Sequence, residues 1–352
     1  MGRAAGAIPV VVRTVAHRQR PADDRGERGD VRIMTPRIGP FPSITVFGGA
    51  TMDRIAAAAA PPALGVSNPG SARRMAGGVG LNVAAALARL GHPVRLVSRV
   101  GSDADGDAII AAARGAGVDT SFVGVSQRSP SAAYHAVLDD VGGLVIGIAA
   151  MAICDEITAA AVAPATQQSS PDELWVIDAN LPAETLAFLV GEAASSGRAV
   201  AALAVSPAKA VRLGTLVDRL TLLFANRREA AAILGIADGD RQPAATELAA
   251  AFGGAKASNV VITNSTDAVV VASGGEVRSF VPLKARVKSV NGAGDALAAG
   301  TLHGIASGRN LFEAVMSGLA AAAIAVESEA TILSDVTPGG LAERIGTGTP
   351  AP

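Results

Sequence analysis

The chain has 352 residues, 49% of them hydrophobic, 17% charged and only 3% aromatic. That apolar content suits one large α/β domain or two average ones, and it is incompatible with a disordered chain. With 30 basic and 31 acidic residues the net charge is −1, which argues against a nucleic-acid partner. The single cysteine, Cys154, excludes an intramolecular disulfide and a cysteine-built metal centre, and a lone thiol fits a cytoplasmic protein. The apolar stretches at 141–154 and 314–326 fall short of the ~20 residues a spanning helix needs, so no membrane segment is expected.

Residues 1–40 carry eight arginines, four acids and several prolines without apolar periodicity. They are predicted to be a disordered extension, with Met34 the expected start of the folded protein. From Ser43 onward short β-branched runs alternate with longer Ala/Leu-rich ones. Strands are predicted at 44–47, 94–100, 174–177, 199–204, 221–224, 260–262 and 268–272. Helices are predicted at 82–90, 105–113, 183–194, 227–234, 244–252, 295–303 and 311–325. This alternation predicts βαβ units, a mainly parallel sheet and helices on both faces. Between Thr120 and Ile148 two strand-like runs, 132–138 and 144–148, flank a turn with no helix between them. The pattern predicts a hairpin inserted in the α/β frame as a small β lid, drawn from about 62–75 and 120–148. The folded domain is expected over 41–340 and a tail over 341–352. The lid also offers a surface for a homodimer.

The most informative segment is Val290-Asn291-Gly292-Ala293-Gly294-Asp295, running straight into an apolar helix. Small residues let backbone N–H groups close around an anion, and a helix N-terminus favours negative charge. Asp295 in the first turn is readily explained as a dipole-matching acid. Beside an anion nest, however, a carboxylate is repelled by the ligand unless it has work to do, and proton abstraction from an attacking hydroxyl in phosphoryl transfer is that work. The second segment, Gly77-Gly78-Val79-Gly80-Leu81-Asn82, resembles part of a dinucleotide fingerprint. That fingerprint should follow a strand, and 67–71 reads as a turn, so a dinucleotide enzyme is disfavoured. Asn82 reads either as a cap or as a hydroxyl-binding side chain. None of the four lysines has Walker A spacing, and the four histidines are scattered, so charge neutralisation falls to backbone amides, a metal and arginine.

In this order, the two segments resemble the signatures of the ribokinase-like (PfkB) carbohydrate and nucleoside kinase family. Gly101-Ser102-Asp103-Ala104-Asp105-Gly106 and Asn226-Arg227-Arg228-Glu229 match two further marks of that family, and the likeness runs from about Ser43 to Pro338. The resemblance implies a three-layer α/β/α domain with a β lid, using ATP and Mg²⁺ to phosphorylate a small sugar or nucleoside. It assigns Asp295 as general base and the amides of Gly292, Ala293 and Gly294 as anion hole. It assigns Asn226 and Glu229 to Mg²⁺, although on their own they read as a cap and a surface acid. It places Thr263 and Ser265, with Asn226, Gly292 and Gly294, near ATP. It places Asp53, at the end of the first strand, with Gly77, Gly78, Asn82, Tyr134 and Asn180 around the acceptor, and explains Gly78 as clearing room for the sugar. Ser67-Asn68-Pro69-Gly70, Tyr134 with Leu138-Asp139, Asp178-Ala179-Asn180-Leu181 and Val205 to Ala210 resemble the branch that phosphorylates pseudouridine on its ribose. Ribose, fructose or adenosine kinases, and a non-catalytic binding relative, are the alternatives. Two departures stand out. Ser289 and Asn291 replace the usual Asp (or Asn) and Thr, which puts K⁺ activation in doubt. Thr263-Asn264-Ser265-Thr266-Asp267-Ala268 has lost both glycines of the family's nucleotide turn and gained an acid.

Overall fold

The computed structural model describes residues 13–14, 39–237, 243–253, 259–328, 330, 332 and 335–347. Apart from 13–14 and 39–40, the predicted N-terminal extension, Met34 included, lies outside the described residues. The elements in chain order are β1 (Arg13–Thr14), β2 (Ile44–Phe47), β3 (Thr51–Ala58), β4 (Gly70–Gly77), α1 (Val79–Arg89), β5 (Val94–Gly101), α2 (Ala104–Gly115), β6 (Asp119–Ser126), β7 (Ala133–Leu138) and β8 (Leu144–Ala150). Then come α3 (Ala159–Gln167), β9 (Leu174–Asp178), α4 (Ala183–Ser196), β10 (Val200–Leu203), α5 (Pro207–Ala210), β11 (Leu222–Asn226), α6 (Arg227–Ile233), α7 (Ala245–Gly253), β12 (Asn259–Thr263), β13 (Val269–Ser273) and β14 (Glu276–Phe280). The chain closes with α8 (Ala293–Ala306), α9 (Leu311–Val326) and α10 (Pro338–Thr347).

The main sheet has the order β1-β14-β13-β12-β11-β10-β9-β2-β5-β6. The run from β12 to β6 is parallel, while β13, β14 and β1 are antiparallel. The central strands are buried on both faces, as a helix-covered parallel sheet requires. Period-two alternation divides them between two cores. Ile44, Val46, Leu174 and Val176 pack with α1, α2, α8 and α9 on one face. Phe47, Trp175 and Ile177 pack with α3, α4, α6 and α7 on the other. The doubly wound α/β/α architecture is therefore the predicted one.

A second sheet, β4-β3-β7-β8, forms the lid. Its composition differs from the expectation in two places. The run 119–126 is not lid: β6 pairs in parallel with β5 at the edge of the main sheet. Thr51–Ala58, which carries no strong alternation, is one of the lid's two inner strands, and Gly70–Gly77 is a strand rather than the end of a turn. Neither β3 nor β4 carries a legible strand pattern: β4 is mostly exposed, and β3 mixes buried and half-buried positions out of period and ends in Ala56–Ala58, so burial imprints no clean alternation on them. The expected tail is also corrected, because 338–347 is helical and buries Leu341 against α9 with Val336.

Helices α8 and α9 meet at glycine. A Cβ on Gly318 would lie 2.2 Å from Thr301 Oγ1 and 2.5 Å from Leu297 O, so the two backbones approach as closely as chemistry permits. Gly318→Ala is therefore expected to force the helices apart and destabilise the protein by about 1–3 kcal/mol, the usual range for overpacking a core. Urea titration of the two proteins measures this.

Candidate active site

The C-terminal ends of the parallel strands and the N-termini of α1, α6 and α8 converge on one cleft, the position at which open α/β sheets bind ligands. The segment before α8 is irregular, and Gly292 turns it into the helix with φ 75°. The N–H of Ala293 donates weakly to Val290 O at 3.4 Å, and Ala296 N–H is the first to bond back into the helix, to Gly292 O. Asp295 thus stands in a first turn whose amides are largely free for an anion. Its Oδ2 accepts a hydrogen bond of 2.8 Å from Asn82 Nδ2 of α1. Burial pushes its pKa up to about 7, with repulsion from Asp178, Asp53 and Glu229 acting the same way and Asn82 opposing.

Asn82 is 8% exposed and its Oδ1 has no protein partner among the described residues. Gly77 ends β4 and faces Thr51 across the lid. Gly78 has φ 95°, and a Cβ there would strike the backbone of Gly49 and Thr51 within 2.9 Å. Glycine is thus required by chain packing, and clearing room for a sugar is not needed to explain it. Asp53 lies within lid strand β3 rather than ending the first strand, accepts from Thr51 Oγ1 at 2.8 Å and has its pKa raised by burial. Tyr134 on β7 stands opposite Asp53 in register, and its hydroxyl crosses Gly147 of β8. Asn180 is buried, and its Oδ1 accepts from Lys209 Nζ.

Asn226 and Glu229 form a reciprocal capping box on α6, with Asn226 N–H donating to Glu229 Oε2 and Glu229 N–H to Asn226 Oδ1. Glu229 is not the surface acid that the cap reading supposed; it is 7% exposed and its pKa is raised by burial. Both residues line a cavity of about 160 Å³ with Thr263, Val205, Gly294 and Asp295. A larger, mostly apolar cavity of about 470 Å³ adjoins it, sharing Thr263, Gly294 and Leu297 and reaching Ser265, Val287, Ala322 and Val326. Among the described residues no cluster of three or more His, Cys, Asp or Glu side chains could cage a metal by itself. In the altered turn, Asp267 is bound by Asn264 Nδ2 at 2.7 Å, and Ser265 holds φ 54° where the family's pattern has glycine.

Asp178 was missed as a site residue. It ends β9, is fully buried, and accepts from the N–H groups of Gly49 and Asn180, each at 2.8 Å. Burial raises its pKa to about 6. An acid closing the apolar run Leu-Trp-Val-Ile was the available signal. Val205, left-handed at φ 70° in the cavity wall, had no such signal.

An anion nest where an irregular segment enters a helix, with an acid at its edge, beside an apolar cavity and under a β lid, fits a phosphotransferase acting on an alcohol group. The profile of "pfkB family carbohydrate kinase" matches residues 42–338, and the chain belongs to that family. It is 30% identical over 272 residues to the pseudouridine kinase of Escherichia coli K12, covering 77% of this chain and 86% of the relative. It is 27% identical to the ribokinase of Haemophilus influenzae, over 71% of this chain and 80% of that protein. Among solved structures, a carbohydrate kinase from Agrobacterium tumefaciens superposes with TM-score 0.74 at 35% identity, covering 86% of this chain and 97% of that one. No helix among the described residues is long and apolar enough to cross a membrane.

Two outcomes follow from this geometry. The raised pKa of Asp295 means that the folded state holds its proton more tightly than the unfolded chain, so its contribution to stability is full below pH 4 and lost as pH rises through about 7. Asp295→Asn is therefore expected to be more stable than the wild type at pH 8, the difference closing as pH falls toward 4 in chemical denaturation. Ser265→Gly removes the left-handed strain and is expected to add up to about 1 kcal/mol, read as a higher denaturation midpoint.

Proposed function

We propose that this kinase transfers the γ-phosphoryl group of ATP, with Mg²⁺, to the ribose 5′-hydroxyl of pseudouridine, giving pseudouridine 5′-phosphate and ADP. The observation that carries the reading is the position of Asp295. Its carboxylate is held by Asn82, walls the cavity shared with Asn226 and Thr263, and is within electrostatic reach of Asp53 on the lid. The choice of pseudouridine is supported by the 30% identity to the pseudouridine kinase and by the Tyr134, Asp178–Leu181 and Val205–Ala210 segments.

The apolar cavity takes the adenine and ribose of ATP, leaving the phosphates beside Thr263, Ser265 and the first turn of α8. The structure of the Arabidopsis thaliana ribokinase, a fold relative at 19% identity, is described as a complex with ribose and ATP. Asp53 accepts ribose hydroxyls, the unpartnered Oδ1 of Asn82 accepts another, and Asn180 and Tyr134 bound the base. Asp295 takes the proton of the attacking hydroxyl. The amides of Gly292, Ala293 and Gly294 meet the charge on the transferring group. Glu229, a buried carboxylate beside Asn226 at the cavity wall, would hold a divalent ion through water, since one carboxylate suffices for such an ion. Bound there, Mg²⁺ neutralises phosphate charge. With Ser289 and Asn291 in the loop, K⁺ activation is not included. The exposed apolar residues Leu144, Ile146 and Ile148 of β8 suit a second copy of the chain lying against the lid, and the chemistry fits the cytoplasm.

Asp295→Asn is expected to lower kcat by ~10²-fold or more while pseudouridine binding by calorimetry is retained. In the wild type, kcat/KM should climb with pH through about 7 as Asp295 ionises. ADP release measured with pseudouridine, uridine, adenosine, ribose and fructose should show the highest kcat/KM for pseudouridine. A higher value for ribose would overturn the acceptor assignment but not the kinase.

A further inference from the structure

The lid is tied to the body at its root by a charge cluster that has no part in the chemistry above. Arg54 of β3 and Arg74 of β4 stand directly opposite one another in the antiparallel pair. Both reach the same carboxylate: Arg54 Nη2 lies 2.5 Å from Asp105 Oδ2, and Arg74 Nη1 lies 3.4 Å from Asp105 Oδ1. The Asp105 side chain is 13% exposed, against 38% and 52% for the two arginines, so the acid is the sheltered centre of the cluster. It is not needed to cap α2. Asp103 does that, accepting from Gly106 N–H at 2.8 Å.

Which side of the lid this cluster holds follows from strand geometry. Successive residues of a strand point to opposite faces. Asp53, with its register neighbour Tyr134, therefore lies on one face of the lid, and Arg54 with Arg74 on the other. The order of the main sheet gives the same answer. The lid rises from the end of β2; β9 to β12, which carry the cleft, lie to one side of β2, while β5, which leads into α2 and Asp105, lies to the other.

We propose that Asp105 is a positioning residue that restrains the lid from behind. It pulls Arg54 and Arg74 away from the cleft, so that closing Asp53 and Tyr134 over the acceptor lengthens both ion pairs. This inference rests on the kinase reading for its kinetic consequence, but its geometric consequence is independent of that reading. Partly exposed pairs of this kind are weak, and each shifts an equilibrium by severalfold at most. That is the scale suited to tuning a lid.

The test uses Asp105→Asn, Asp105→Glu, Arg54→Gln and Arg74→Gln in the full chain. Asp105→Asn is expected to lower the KM for pseudouridine roughly three- to tenfold, with kcat changed less than twofold. Asp105→Glu should restore the wild-type KM, and each Arg→Gln variant, which leaves the first turn of α2 intact, should shift KM in the same direction as Asp105→Asn. A purely structural role would raise KM or leave it alone, and either result overturns the proposal. The second readout needs no turnover. Spin labels at Leu64→Cys on the lid and Arg228→Cys on α6, with the buried Cys154 left unlabelled, report the lid position by electron–electron distance measurement. The ligand-free distance should be shorter in Asp105→Asn than in the wild-type background. Identical distributions would overturn the restraint, whereas failure to phosphorylate any acceptor would overturn the proposed function and leave the distance test standing.

Discussion

The hydrogen bond between Asn82 and Asp295 ties together two segments that are distant in sequence and fixes the geometry of the cleft. It joins the first turns of α1 and α8, two helices that pack on the same face of the sheet. It gives the carboxylate one fixed orientation at the mouth of a helix whose amides are unspent. Both helices are anchored by close approach: α8 against α9 through Gly318, and α1 against the β2–β3 connection through Gly78. The site is therefore held by contacts with little tolerance for added volume, which is how a small-residue-rich chain builds rigidity.

Around this bond the site accumulates negative charge. Asp53, Asp178, Asp295 and Glu229 face a common region, and burial raises the pKa of each. Their repulsion is tolerable because each has a distinct set of donors: Thr51 for Asp53, backbone N–H groups for Asp178, Asn82 for Asp295 and the capping box for Glu229. Asp178 has a structural share in this, since its carboxylate accepts from the N–H of Gly49 in the turn from which the lid departs and from the N–H of Asn180. A cleft so arranged binds an anionic ligand well only when cations or backbone dipoles accompany that ligand, and the free first turn of α8 supplies the dipoles.

The Thr263–Ala268 turn departs from the family's glycines yet holds one left-handed position. Ser265 keeps the left-handed conformation that glycine would adopt without strain, and Asn264 holds the new acid, Asp267, by its side-chain amide.

The order of strands and helices, the parallel sheet, and the Gly-Ala-Gly-Asp and Gly-Gly…Asn segments were legible in the sequence. Those features are written in local periodicity and in residue types that few other roles demand. The lid was only half legible. β7 and β8 are hairpin strands with a turn between them, but β4 is mostly exposed, β3 shows no clean alternation, and β6 was assigned to the lid although it pairs with β5. Pairing partners are chosen by chain segments far apart, so strand-like composition cannot reveal them. The same reason explains why Asp178 went unassigned, why Glu229 is buried rather than exposed, and why Gly78 serves the backbone of Gly49 and Thr51. Sequence by itself determined which groups are available for chemistry. Only tertiary structure decided which of them meet, because burial, repulsion and hydrogen bonding between Asn82 and Asp295 exist only once the helices that carry them are packed.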